Sequence, residues 1–569
     1  MIEFVALIGL EADAGAYAVM RDVARTEGWQ ITEMEPCGWI AVRNAGVQRV
    51  ALESGQAFIV GDTVQMRRLG EERFENEEAL CRMLACEGWG RYVVLFLGND
   101  GALSGVFRDP SGAVDCARAQ LGRCWTVASQ TPDWLVDATN DHPPICWTTV
   151  AQVLRDPVLL SSADMLSSWR TVTPGALHLT GGATRIIWSP SLAARRGHPA
   201  NEVRLRAVVD ATVRDMTKVR TSILTEVSGG LDSAIMATAL KASGFGGEVI
   251  WLNTSGPFAE SDERRYARAV VAAMDESLTE VVRTSEDVAS GLAFDHPKTL
   301  RPSLNRMDGT YDALQAELCD RYNVDAVLTG KGGDVAFFQT ATSAILSDQI
   351  RDQGPGALFS RTAPVLARRL RRSAWRVLKA GWAGSTSAKR PAPPSNLLFS
   401  REVENAPRAV HPWLADLTGL GPGKRQQILG FASNLGLHSP SQRTRRVDLL
   451  HPALSQPVME AVLATPTYQL TKGGHDRLLA RDAFADRLPT ILLQRRSKAE
   501  LSGYYGRVLA ANLDQLRPHL LEGRLAGQGL IDRDQVEAAL RVEHLIWQGG
   551  YGELMILALV ESWLQAWKR

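Results

Sequence analysis

The stretch Ser228-Gly229-Gly230-Leu231-Asp232-Ser233 constrains this chain more than any other. It follows a β-prone run at 221–227 and precedes a helix-prone run at 233–244 that closes on Gly244. Two adjacent glycines let the backbone take positive φ and approach a ligand closely. A helix opening at Ser233 presents free N–H groups with the helix dipole behind them, which makes an anion site. Serine hydroxyls at both ends add donors. The loop also falls just past the carboxyl end of a strand, where open α/β sheets bind ligands. It lacks the Gly-Lys-Ser/Thr ending of the P-loop and carries an acid, Asp232, in its place. An acid beside phosphates repels them unless a cation intervenes, so Asp232 predicts Mg²⁺.

The surrounding pattern predicts alternating strands and helices. Strands are expected at 221–227, 248–255, 278–284 and 325–330, with helices at 233–244, 261–274 (Ser261 as N-cap) and 311–322. Four strands separated by helices imply a parallel, doubly wound sheet. The second metal ligand is expected in 328–338, LTGKGGDVAFF, which follows a strand, clusters glycines and carries Asp334. Two carboxylates at adjacent strand ends can grip Mg²⁺ between phosphates. Leu252 and Gly330, at strand ends, are expected to line the nucleoside.

Residues 1–200 read differently. A strand at 91–98 and another at 102–109 flank the turn signal Asn99-Asp100-Gly101, as in an antiparallel hairpin. The chain therefore divides into a β-rich domain, 1–200, and an α/β domain, 201–569, with a basic helix at 367–381 and a flexible linker near 381–396. At 569 residues it is too long for one core. Lys+Arg and Asp+Glu balance at 63 each, which argues against a nucleic-acid partner. No apolar run approaches the roughly 18 residues of a membrane span. The start, MIEFVALIGLEADAG, has no basic n-region. Seven scattered cysteines without a CxxC pair read as free thiols, so the expected location is the cytoplasm.

The SGGLDS loop resembles the PP-loop of ATP pyrophosphatases, the adenine nucleotide α-hydrolase-like enzymes that cut ATP between the α and β phosphates. Segments 255–271, 329–334 and 488–500 (LPTILLQRRSKAE) are similar to the asparagine synthetase B type, and 89–96 with 107–112 resemble that family's glutaminase-like sandwich. The resemblance covers nearly the whole chain. It implies α/β architecture: a degenerate glutaminase-like antiparallel β-sandwich, then a PP-loop parallel-sheet synthetase domain with added helices. It also assigns Lys498, in the RRSK run, as the cation that stabilises the α-phosphate and then the oxyanion.

Two departures matter. Class II glutaminases use a cysteine exposed by removal of Met. Here position 2 is Ile2, and no cysteine precedes Cys37. Without that nucleophile glutamine supplies no ammonia, so the attacking amine is expected to come from the substrate. In the later loop the family's Glu is Lys331, and the acid after its Asp is Val335. Segments 108–112, 330–334, 451–470, 473–489 and 495–498 resemble lasso-peptide cyclases. That resemblance implies ATP and Mg²⁺ as cofactors and a core peptide as substrate. It also implies a leader peptidase and a leader-binding module as partners, and Lys498, Asp334 and Asp232 as catalytic groups. Tyr311 and Glu317 are candidate bases, and His475 and Arg477 candidate substrate contacts. The alternatives are a β-lactam synthetase-like or other small-molecule synthetase, an asparagine synthetase, a tRNA-modifying PP-loop enzyme and a catalytically inactive scaffold.

Overall fold

The computed structural model describes residues 1–9, 14–34, 38–66, 69, 73–121, 124–139, 143–257, 262–284, 286–287, 292, 294–386, 396–495, 502–547 and 551–568. Its first part is built from β1 (Glu3–Ile8), β2 (Gln30–Met34), β3 (Gly38–Arg43), β4 (Val47–Leu52), β5 (Gly55–Val64), β6 (Trp89–Gly98), β7 (Leu103–Arg108), β8 (Ala117–Leu121), β9 (Cys124–Ala128), β10 (Trp169–Thr171), β11 (Ala176–Leu179) and β12 (Thr184–Ile186). They pair in two antiparallel sheets, ordered β10-β8-β9-β1-β3-β2 and β12-β11-β7-β6-β5-β4. Alternate residues of both sheets meet in one core: Phe4, Ala6 and Ile8 of β1 against Phe58 and Val60 of β5 and Val93, Leu95 and Leu97 of β6. A period of two that buries one face of each sheet against the other is a β-sandwich. The expected hairpin is β6–β7, turning at 99–102.

The second part holds β13 (Ser222–Glu226), β14 (Glu248–Ser255), β15 (Leu278–Val282), β16 (Ala326–Leu328) and β17 (Asp448–Leu450), all parallel, in the order β15-β14-β13-β16-β17. Both faces are covered. Ile223, Ala326 and Leu328 pack into the main core, while Leu224, Leu252 and Val327 pack against Leu318 and Cys319 of the helix Gly309–Arg321. The sheet has five strands where the pattern predicted four. β17 is only three residues long, and its strand character comes from pairing Asp448 with Ala326 of β16. From β13 the chain moves to β14 and β15 on one side and returns to β16 on the other, so the topological switch point lies between β13 and β16.

Asp448 ties the two parts together. Its carboxylate accepts from Arg220 at 2.6 Å and from Arg91 of β6 at 2.7 Å, and it lies 3.9 Å from the amine of Met1. These cations hold the buried acid well below the usual carboxylate range. Ile2, where the glutaminase comparison places a nucleophile, is buried in the sandwich core. The Met1 amine donates to the carbonyls of Thr444 and Val447. Burial pushes the Cys116 thiol, in the same core, up to about 12, so it supplies no thiolate near neutrality. Cys37 lies outside the described residues.

The basic stretch expected as one helix at 367–381 is two helices, Thr362–Leu370 and Ala374–Thr386, separated where Arg371 takes the left-handed conformation. Residues 381–386, expected as the start of a linker, are the end of the second helix. The rest of that linker, 387–395, lies outside the described residues, as does Ser261. No helix among the described residues is long and apolar enough to cross a membrane.

Candidate active site

The first loop turns tightly after β13. Gly229 has φ of +86°, and a Cβ there would lie 2.7 Å from the Glu263 carbonyl oxygen, so the position requires glycine. The two serines close the loop on itself. Ser233 Oγ accepts from the Ser228 N–H at 3.2 Å and lies 3.0 Å from Ser228 Oγ. Gly230 is the N-cap of the helix Leu231–Ala242, which therefore starts two residues earlier than the pattern predicts and puts Ser233 in its first turn. Leu231 points into the core below.

The second loop follows β16 and packs directly on the first. A Cβ on Gly330 would stand 2.4 Å from the Ser233 nitrogen, and one on Gly333 would stand 2.6 Å from Asp232 Cβ. Only glycine lets these backbones interlock. Gly330→Ala is therefore expected to pry the loops apart and weaken Mg·ATP binding at least about tenfold, since the clash is with backbone that cannot rotate away. Calorimetric titration of the variant with Mg·ATP reads this directly. The loop's base is pinned by the Thr329 hydroxyl, which lies 2.7 Å from His451 Nδ1 and accepts from the Lys331 N–H.

Both loops open into one cavity of about 570 Å³ at the switch point. Of the sequence-predicted residues, Ser228, Gly230, Asp232, Ser233, Gly330 and Asp334 line it. Gly229 and Leu231 support the turn from below. Leu252 does not face the cavity: it lies on the face of β14 that packs against the helix Gly309–Arg321. Its neighbour Asn253 serves the loop instead, donating to the Val227 carbonyl at 2.7 Å. Lys498 lies outside the described residues. Arg495, three positions before it, donates to the Gly229 carbonyl at 2.8 Å and lies over the Tyr266 ring, which places it against the first loop.

Asp232 and Asp334 differ in kind. Asp232 is buried, and its Oδ2 accepts from Arg477 Nη1 at 2.7 Å. Arg477 also pairs with Asp476. Its role is thus an ion pair with the metal-ligand candidate, while His475 is exposed and does not line the cavity. Asp334 is exposed to the cavity. No group of three or more metal-ligating side chains occurs among the described residues. Two carboxylates on one cavity, beside a loop shaped for phosphates, fit Mg²⁺, which keeps waters and substrate phosphates as its other ligands.

The far wall of the cavity holds groups that sequence reasoning missed. Glu226, the last residue of β13, accepts from Tyr311 Oη at 2.8 Å and from Arg443 Nη1 at 3.1 Å. Arg283 makes two hydrogen bonds to Asp308, at 2.8 and 2.9 Å, and Tyr504 donates to the same carboxylate. Burial and the Glu226 carboxylate raise the Tyr311 phenol well above its ordinary range, so it stays a donor. Glu317, the other base candidate, is exposed and pairs with Arg321 outside the cavity.

The profile of the asparagine synthase family matches residues 204–569, close to two thirds of the chain. The chain belongs to the asparagine synthase family. Membership makes it a C–N bond-forming ligase, an ATP-dependent amide-forming synthetase in general terms, and the matched segment contains both loops and the cavity. No curated protein matches the chain. Among solved structures, one described as the allosteric regulatory enzyme of purine biosynthesis aligns at 11% identity and a TM-score of 0.20, covering 52% of this chain and 82% of that one. The glutamine phosphoribosylpyrophosphate amidotransferase from B. subtilis, complexed with ADP and GMP, aligns at 11% identity and a TM-score of 0.17, covering 57% and 84%. Likeness at this level carries nothing about the site.

Proposed function

We propose that this asparagine synthase family member is a lasso-peptide cyclase. It activates the side-chain carboxylate of an Asp or Glu in a core peptide as the AMP ester, releasing pyrophosphate. The peptide's own N-terminal amine then displaces AMP, loses a proton to solvent and closes an isopeptide ring. The observation that carries this reading is the burial of Ile2 where a glutaminase would expose its cysteine, joined to interlocked phosphate loops in the synthetase part. On this reading the amine arrives with the substrate, since Ile2 stands where the glutaminase resemblance places the ammonia-generating cysteine.

Ser228, Ser233 and the N–H groups at the start of the helix Leu231–Ala242 would hold the pyrophosphate end of ATP, and Asp232 and Asp334 would hold Mg²⁺. The metal supplies charge neutralisation at the phosphates. Arg477 fixes the rotamer of Asp232, and Arg495 braces the loop through Gly229. The second half-reaction needs chiefly positioning, which supplies roughly 7–11 kcal/mol when amine and carbonyl are held in line. The walls made by Tyr311, Tyr504 and Tyr505 shape that space. A leader peptidase and a leader-binding module deliver the peptide.

The test is mass spectrometry of a leader-free core peptide incubated with the enzyme and Mg·ATP. The expected product has lost one water, and acetylating the peptide's N-terminus blocks its formation. Turnover of free glutamine with aspartate in its place would overturn the reading in favour of asparagine synthesis.

A further inference from the structure

The charged side chains that line the cavity pair off, with two exceptions. Glu226 is matched by Arg443, Asp308 by Arg283, and Asp232 by Arg477 behind it. Asp334 and Lys331 make no ion pair with any described residue. Asp334 is assigned above to the metal. Lys331 is a cation on the cavity wall without an anion at contact distance among the described residues.

We propose that Lys331 is a substrate-binding residue whose ammonium holds the carboxylate to be activated beside the phosphate loop. The inference rests on the synthetase reading and deepens it, because it names the charge of the group the cavity receives. Three observations support it. Lys331 is the residue between Gly330 and Gly332, so its backbone is fixed against the first turn that carries Asp232 and Ser233. Its N–H donates to the Thr329 hydroxyl, which pins the loop from the other side. Burial and the nearby Arg443 draw the ammonium down to about 8, against the pull of Glu226, Asp312 and Asp308. A desolvated cation of this kind is stabilised most by an incoming anion.

The test is acid-dependent ATP–pyrophosphate exchange by the full chain, which reads the activation step alone. The probes are free L-aspartate and a set of nine-residue peptides with a free N-terminal Gly and Asp or Glu near the end. Lys331→Met is expected to raise KM for the acid about tenfold or more, the cost of a hydrogen bond to a charged group. KM for ATP should stay within about twofold. Lys331→Arg should recover most of the affinity, which a merely structural role would not require. An unchanged KM for the acid in Lys331→Met overturns the assignment. If only free aspartate supports exchange, the cyclase reading falls, while the same KM comparison, made with aspartate, still decides Lys331. Absence of exchange with every acid overturns both.

Discussion

Asp232→Asn is expected to cost the protein both turnover and stability, whereas Asp334→Asn is expected to cost turnover alone. On the proposed reading each carboxylate is a metal ligand, and losing metal-assisted charge stabilisation is worth several kcal/mol, so pyrophosphate release should fall at least about 100-fold in either variant. The stability effects separate because the environments differ. Asp232 is the partner of Arg477, whose side chain is only 5% exposed. Removing one member of a buried pair leaves the other charge uncompensated, at a typical cost of 3–5 kcal/mol. Asp476 still touches Arg477, which puts the expected loss near the low end, about 3 kcal/mol. Asp334 faces the cavity and should leave the denaturation curve unmoved. Chemical denaturation beside a pyrophosphate-release assay distinguishes the two. Equal destabilisation by both substitutions would contradict the ion-pair role of Asp232.

Lys498→Ala carries the second large effect. On the proposed reading, which follows the resemblance of 488–500 to the family's late segment, its ammonium meets the charge developing on the α-phosphate and then on the oxyanion. Removing one such donor typically lowers rate about 10²–10³-fold. The expected pattern is a fall in kcat with KM for ATP little changed, because the contact strengthens in the transition state. Arg495 should behave differently. It donates to the Gly229 carbonyl, so Arg495→Ala should loosen the loop and raise KM for ATP. Steady-state kinetics on both variants separates a transition-state contact from a brace.

The two glycine loops were legible because their requirements are local. Gly229 needs positive φ, Gly330 needs room for the Ser233 backbone and Gly333 for the Asp232 side chain; all three demands are written as glycine. The alternation of strands and helices was legible for the same reason, as the period of burial is set by neighbours. β17 was not, because Asp448-Leu449-Leu450 becomes a strand only by pairing with residues more than a hundred positions earlier. Leu252 was assigned to the ligand as a strand-end residue, but β14 runs on to Ser255, and the alternation at Leu252 puts its side chain on the helix-covered face. The far wall stayed hidden for a related reason. Glu226 and Arg443 lie 217 positions apart, and nothing around either residue signals that they meet. Glu317 and Tyr311, six positions apart on one helix, show the converse: the same element sends one residue to solvent and the other to the cavity.

The most direct measurement follows the phosphorus. Purified chain, Mg·ATP and an acidic core peptide, monitored by ³¹P NMR, should yield AMP and pyrophosphate in equal amounts, in step with loss of one water from the peptide. ADP and inorganic phosphate as products, or ATP consumption that ignores the acid, would contradict an adenylating site at the junction of these two loops.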